Sequence, residues 1–132
     1  IIDTFETSVT WDNLHDVHSN VRKLIKARPG TVCMTHASHF YSAGTNLYFI
    51  LILKPQSPEE YFEFRSKILA SIIENGGSPS HHHGTGELTG PLMEEHLGTT
   101  QMNVLRALKE HFDPHHIMNP GWTLGFDTKV RK

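Results

Sequence analysis

Apolar residues recur along this chain with two periods, and the switch between them marks out the elements. From Leu14 the spacing is helical: Leu14, Val17, Val21, Leu24 and Ile25 return to one face. Thr10 suits the cap of that helix and Asp12 its first turn, while Arg22, Lys23, Lys26 and Arg28 crowd its end, where cations oppose the helix dipole. Pro29-Gly30 stops it. Thr31 to His36 then alternates as a strand, with Val32 and Met34 on one face. Asn46 to Leu53 is the strongest strand. Tyr48, Ile50 and Ile52 share one face and Leu47, Phe49 and Leu51 the other, so it is expected to be central and covered on both sides. Residues 1–10 read as an extended lead-in, and 37–44 shows no clear period.

The second half is helical. Ser57-Pro58-Glu59-Glu60 has the cap serine, the first-turn proline and the glutamate of a capping box. Tyr61, Phe64, Ile68, Leu69, Ile72 and Ile73 supply a buried stripe, and Asn75-Gly76-Gly77 ends the helix. Pro91 is expected to open a short helix to Leu97, and a further helix runs from about Thr100 to Phe112 before Asp113-Pro114. Asn119-Pro120-Gly121 is a turn signal. One hairpin among helices, without alternating parallel units, predicts an α+β fold: an antiparallel sheet covered by helices. Two strands are a thin sheet, so further strands must come from poorly patterned segments or from other chain.

Composition changes this picture in one respect. The 132 residues suffice for one modest core, and a net charge of −2 gives no basic footprint for nucleic acid. A single cysteine, Cys33, excludes an internal disulfide and fits a reducing compartment. The longest apolar run, Leu47 to Leu53, is far short of the roughly 20 residues that span a bilayer, and no signal peptide is read. The outlier is histidine, with eleven residues.

Three of these stand together in Ser78-Pro79-Ser80-His81-His82-His83-Gly84-Thr85-Gly86. Consecutive side chains cannot share one apolar face, so packing does not explain the triplet. The glycines mark a tight turn or a close approach. This reads as a loop presenting imidazoles to a ligand, against the plainer reading of a solvated loop. Zinc lacks support, because there is no cysteine pair and no metalloprotease spacing, and His111, His115 and His116 suit a helix end. No metal is expected. An anion does better, because Gly84-Thr85-Gly86 offers backbone N–H groups beside three potential cations. Tyr48, from periodicity alone, reads as a core tyrosine with a satisfied hydroxyl.

Three segments resemble a known family: Asp3 to Trp11, His39 to Phe49, and Asn75-Gly76-Gly77 with His81 to Gly86. They are similar to the alkylglycerone-phosphate synthase branch of the FAD-linked oxidase (vanillyl-alcohol oxidase) family, over Ile1 to about Gly125. The resemblance implies a two-part FAD enzyme, of which 1–132 is the C-terminal part of the cap domain, inactive alone, with the flavin-binding domain outside this chain. It implies exchange of the acyl group of acyl-dihydroxyacetone phosphate for a fatty alcohol, in ether-lipid synthesis. Tyr48, His82 and His83 then match catalytic positions. His81, His39 and Tyr41 would bind substrate, and Gly84, Gly86 and Asn119 would touch the cofactor. The small 2-hydroxy-acid branch (D-lactate or glycolate type) is the alternative enzyme, and a free-standing histidine-rich ligand- or metal-binding module the alternative outside enzymes. In that branch two histidines and a glutamate bind metal, where this chain carries Tyr41, Tyr48 and His82. Trp122 stands where a lysine is common there. The resemblance also suggests a cytoplasmic or peripheral-membrane parent, peroxisomal in a eukaryote, and leaves room for a homodimer.

Overall fold

The first ten residues form a strand rather than a lead-in. In the computed structural model, which describes residues 1–120, β1 (Ile2–Thr10), β2 (Val32–Ser38) and β3 (Gly44–Ile52) make one antiparallel sheet in the order β1-β3-β2. The central place expected for the Asn46–Leu53 segment is thus occupied by β3. Phe5 pairs with Phe49, and Glu6 and His36 both lie opposite Tyr48. The alternation of β1 is hidden in the sequence because Glu6 and Thr7 are polar yet buried.

Two helices cover one face. In α1 (Leu14–Ala27) the residues Val17, Val21 and Ile25 are fully buried; α2 (Pro58–Glu74) buries Ile68, Leu69 and Ile72. Their partners are Phe5, Leu47, Phe49 and Leu51, so the core lies between these helices and the odd-numbered side chains of the sheet. Each such side chain removed from water contributes about 1.5–3 kcal/mol. Asp3 fastens α2 to β1: it accepts from the Tyr61 hydroxyl at 2.5 Å and pairs with Arg65. The Arg65 guanidinium in turn lies 4.5 Å from the Phe5 ring centre.

Three local expectations are corrected. Thr10 does not cap α1. Trp11–Asn13 form a 3₁₀ turn first, because the Trp11 N–H and indole N–H are drawn to carbonyls of the 41–43 loop. Ser57 does cap α2, accepting from Glu60 N–H at 3.2 Å, but Glu60 turns its carboxylate to Arg28 at 2.8 Å instead of closing the box. Most consequential, the second face of β3 is not covered by these elements. Tyr48 and Ile50 are half-exposed, and Ile2, Val32, Met34 and Ile52 are exposed beside them.

The chain divides into two compact units, Ile1–His83 and Gly84–Lys132. The second holds α3 (Gly86–Thr89), a 3₁₀ turn, α4 (Met93–Leu97) and α5 (Thr99–Phe112). Pro91 sits inside that turn rather than opening α4. Arg106 of α5 pairs with Glu94 of α4 at 2.6 Å, and Asp113 accepts from the N–H groups of Ile117 and Met118 while pairing with Lys109. Gly121 and Trp122 lie outside the described residues.

Gly44 is where β3 meets the end of β1. A Cβ there would fall 2.0 Å from the Val9 carbonyl oxygen. Gly44→Ala must therefore open the Thr10–Gly44 rung, at about 2 kcal/mol or more. Urea unfolding measures this; a midpoint equal to that of the unsubstituted chain would show that the two strands do not close there.

Candidate active site

The histidine triplet is brought to the open face of the sheet by a sharp exit from α2. Gly76 adopts a φ of 83°, and Gly77 passes so close to Thr7 that a Cβ would meet its Oγ1 at 2.8 Å. Ser78 N–H then donates to the Ser8 carbonyl at 2.9 Å, and the Thr7 hydroxyl donates back to the Ser78 carbonyl at 2.5 Å. The next residues meet Glu6. One of its oxygens, Oε1, accepts from the Ser80 hydroxyl and His81 N–H at 2.7 Å each, and from His82 and His83 N–H at 3.0 Å each. The other, Oε2, accepts from the Asn46 amide at 2.8 Å. The backbone is thus tethered, and the three imidazoles fan outward.

Those imidazoles meet Tyr48 of β3 and His39 and Tyr41 of the loop between β2 and β3. The Tyr48 hydroxyl lies 2.7 Å from His82 Nε2. Nδ1 of His82 lies 2.9 Å from Nδ1 of His81, and His81 Nε2 lies 3.3 Å from the Tyr41 hydroxyl. The His39 ring centre is 4.7 Å from that of His82, and the His83 ring centre 5.6 Å from that of Tyr48. Six sequence-predicted residues, Tyr48, His81, His82, His83, His39 and Tyr41, therefore form one cluster. Tyr48 carries its hydroxyl on the open face, not in the core.

Gly84, Gly86 and Asn119 belong to the second unit. All three adopt left-handed backbone, with φ of 78°, 55° and 49°. A tight turn into α3 accounts for the two glycines, and α3 has only four residues. A cavity of about 430 Å³ lined by Trp11, Leu14, His15, His18, Phe40 and Leu47 includes none of the six residues of that cluster.

Sequence reasoning missed Glu6, Asn46, Ser80 and His36. Glu6 stood in view inside Phe5-Glu6-Thr7-Ser8, but only the register that sets it opposite Tyr48 reveals its part. It also supplies a carboxylate where none was expected. Glu6, His81 and His82 offer metal-ligand atoms within 4.8 Å of one another. Four donors on Oε1 and one on Oε2 already engage that carboxylate, so the cluster reads as a hydrogen-bonded one.

The model of the FAD-linked oxidases' C-terminal domain matches residues 1–123. The chain belongs to this family. Among curated relatives it is 34% identical, over 128 residues, to the alkyldihydroxyacetonephosphate synthase of Dictyostelium discoideum, covering 90% of this chain and 21% of that protein. It is 33% identical to the FAD-linked oxidoreductase YgcU of Escherichia coli, covering 89% of this chain and 27% of that one. A solved structure of an alkyldihydroxyacetonephosphate synthase superposes with a TM-score of 0.56 at 27% identity, over 90% of this chain and 19% of that one. The chain thus spans about a fifth of the length of the synthases it matches. The α+β architecture is that of an FAD-linked oxidase C-terminal domain.

The Glu6 carboxyl tests the tether. Burial pushes its pKa up, but the His83 N–H, the Ser80 hydroxyl and the His81 and His82 N–H groups more than reverse this, lowering it from 4.5 to about 2. A folded value below the unfolded one stabilises the fold above about pH 4.5, and the contribution is lost as pH falls toward 2. Asp113, lowered to about 2 chiefly by Lys109, titrates in the same window. The wild-type chain should therefore lose on the order of 3 kcal/mol more than Glu6→Gln across that range. Denaturant titrations at stepped pH check this; parallel curves would show that Glu6 carries no such load.

Proposed function

We propose that this chain is the C-terminal cap portion of a larger FAD-dependent enzyme. Its reaction resembles that of alkyldihydroxyacetonephosphate synthases: exchange of the acyl group of acyl-dihydroxyacetone phosphate for a long-chain alcohol. The observation that carries this reading is the Tyr48–His82 contact of 2.7 Å on an uncovered sheet face. A phenol and an imidazole in direct contact form a proton-handling pair.

The residues present fit a flavin as a cover, not as a cradle. The open face offers Met34, Ile50 and Tyr48 on three adjoining strand positions, a flat half-apolar wall suited to a planar ring. Its antiparallel strands have no strand–glycine loop–helix unit for a pyrophosphate among the described residues. Binding of the dinucleotide thus falls to other parts of the parent. A bound flavin would supply reversible electron donation to the ketone carbon.

This chain's residues do the rest. Tyr48 gives and takes a proton at its hydroxyl, and His82 receives it at Nε2. His81, His83 and His39 crowd the same spot and can balance a developing alkoxide or a phosphate. Beyond that wall the face stays apolar through Val32, Ile52 and Ile2, a strip that suits a lipid tail better than a small hydroxy acid. A second reading, oxidation of a small 2-hydroxy acid, has its own support. The glycolate oxidase subunit GlcD of Bacillus subtilis is 36% identical over 66 residues, half of this chain and 14% of that protein.

The parent flavoprotein decides between them. Acyl-dihydroxyacetone phosphate with a fatty alcohol should give the ether product, while D-lactate or glycolate with an electron acceptor should give no turnover; the reverse would establish the hydroxy-acid reading. Tyr48→Phe should lower the rate about 10²–10⁴-fold with an unchanged melting temperature, since only a half-exposed hydroxyl is lost. Full activity in that variant would remove Tyr48 from the chemistry.

A further inference from the structure

The contacts around Tyr48 form a continuous chain of four side chains. From Tyr48 Oη the steps are 2.7 Å to His82 Nε2, 2.9 Å between the Nδ1 atoms of His82 and His81, and 3.3 Å from His81 Nε2 to Tyr41 Oη. Each neutral imidazole carries one N–H and one bare nitrogen. Only two arrangements then satisfy every link. In one, Tyr48 donates to His82, His82 donates from Nδ1 to His81, and His81 donates from Nε2 to Tyr41. In the other, every bond is reversed and Tyr48 becomes an acceptor.

Glu6 breaks the tie. Its Oε2 lies 3.7 Å from His82 Nδ1 and is itself shielded from water, its side chain being 3% exposed. A carboxylate facing a bare Nδ1 lone pair is repelled, whereas an N–H there is attracted. The same carboxylate, through Oε1, holds the backbone N–H groups of all three histidines. One group therefore sets both where the imidazoles stand and which nitrogen of His82 bears the hydrogen.

The geometry points to Glu6 as the positioning residue of the Tyr48–His82 pair, and to a directed proton path from Tyr48 through His82 and His81 to Tyr41. This rests on Tyr48 as the proton carrier of the proposed reaction. The transfer balances. As Tyr48 takes a proton from a substrate hydroxyl, its own O–H proton moves to His82 Nε2. The His82 Nδ1 proton moves to His81 Nδ1, and the His81 Nε2 proton moves to the Tyr41 oxygen. Tyr41, which is exposed, returns a proton to solvent, and no charge accumulates along the path. His36, His39 and His83 flank the chain without bridging any of its links. The two imidazoles end in the opposite tautomers, so a proton moving back resets them.

The tautomers can be read directly in the full-length flavoprotein with ¹⁵N-labelled histidine, by long-range proton–nitrogen correlation at a pH where the imidazoles are neutral. The expected result is hydrogen on Nδ1 of His82 and on Nε2 of His81 in the resting protein. Hydrogen on Nε2 of His82 would overturn the proposal with no variant needed. Glu6→Gln should shift His82 toward the Nε2–H form and lower kcat about ten-fold or more while KM stays within about two-fold. Glu6→Asp, which keeps the charge, should restore the tautomer more than the rate. An unaltered tautomer in a folded Glu6→Gln protein would also overturn the proposal. Tautomers are independent of substrate, so failure of the wild-type protein to make an ether product would count against the proposed reaction and not against the role of Glu6.

Discussion

A single carboxylate oxygen accepts three consecutive backbone N–H groups and a hydroxyl, and the arrangement of this molecule's reactive groups follows from that fact. Without an anion there, the 81–83 backbone would present three aligned donors toward a buried part of the sheet with nothing to receive them. With it, the loop is fixed on β1, and the side chains that cannot share a face must point away from the tether. The geometry is the inverse of an anion-binding loop. The N–H groups of His81, His82 and His83, which directly precede the Gly84-Thr85-Gly86 amides that the sequence offers to an anion, are aimed at the protein's own glutamate.

Such an anion needs shielding from water and a rigid seat. Both come from register. β1 pairs with β3 over nine consecutive rungs, from Ile2–Ile52 to Thr10–Gly44. That ladder places Glu6 beside Tyr48 and two rungs from Asn46, on the same face, whose amide holds the second oxygen. The helix-covered side of the sheet provides the rigidity, through Phe5, Phe49 and Leu51. A strand is well suited to this division of work, because neighbouring residues serve opposite faces. Phe5 anchors the core while Glu6 organises the chemistry.

How much of this could be read in the sequence depended on whether a contact was local. α1, α2 and α5 were legible from periodicity, α2 also from its Ser57 cap, and so was β3, whose unbroken apolar run is long enough to identify. The placing of Tyr48 with Ile50 and Ile52, on the face opposite the buried Leu47–Phe49–Leu51 set, was legible for the same reason. β1 was not, because Glu6 and Thr7 interrupt its alternation for reasons that lie 70 and more residues away, at Ser78 to His83. The cover expected over the second face of β3 is not supplied by the described residues, because apolar side chains show a preference, not a partner. The histidine triplet announced itself by composition, yet what it touches did not. A carboxylate buried under polar neighbours leaves no pattern in a single chain, and resemblance drew attention to the Phe-Glu-Thr-Ser segment without giving its glutamate a part.

The loop that carries Tyr41 has its own attachment, and it has an optical consequence. The Trp11 indole N–H is shared between the carbonyls of Tyr41 and Ser42, at 3.2 and 3.0 Å, and its ring stacks on Phe40 with a centroid separation of 6.2 Å. The chromophore is thereby bonded to the segment that holds the outer end of the tyrosine–histidine chain. Indole emission depends on the groups hydrogen-bonded to its nitrogen and on exposure to solvent. Any displacement of residues 40–42 changes both at once. With Trp122 replaced by phenylalanine, Trp11 is the sole tryptophan of the 132-residue sequence, and its emission maximum becomes a built-in gauge of whether this corner is closed.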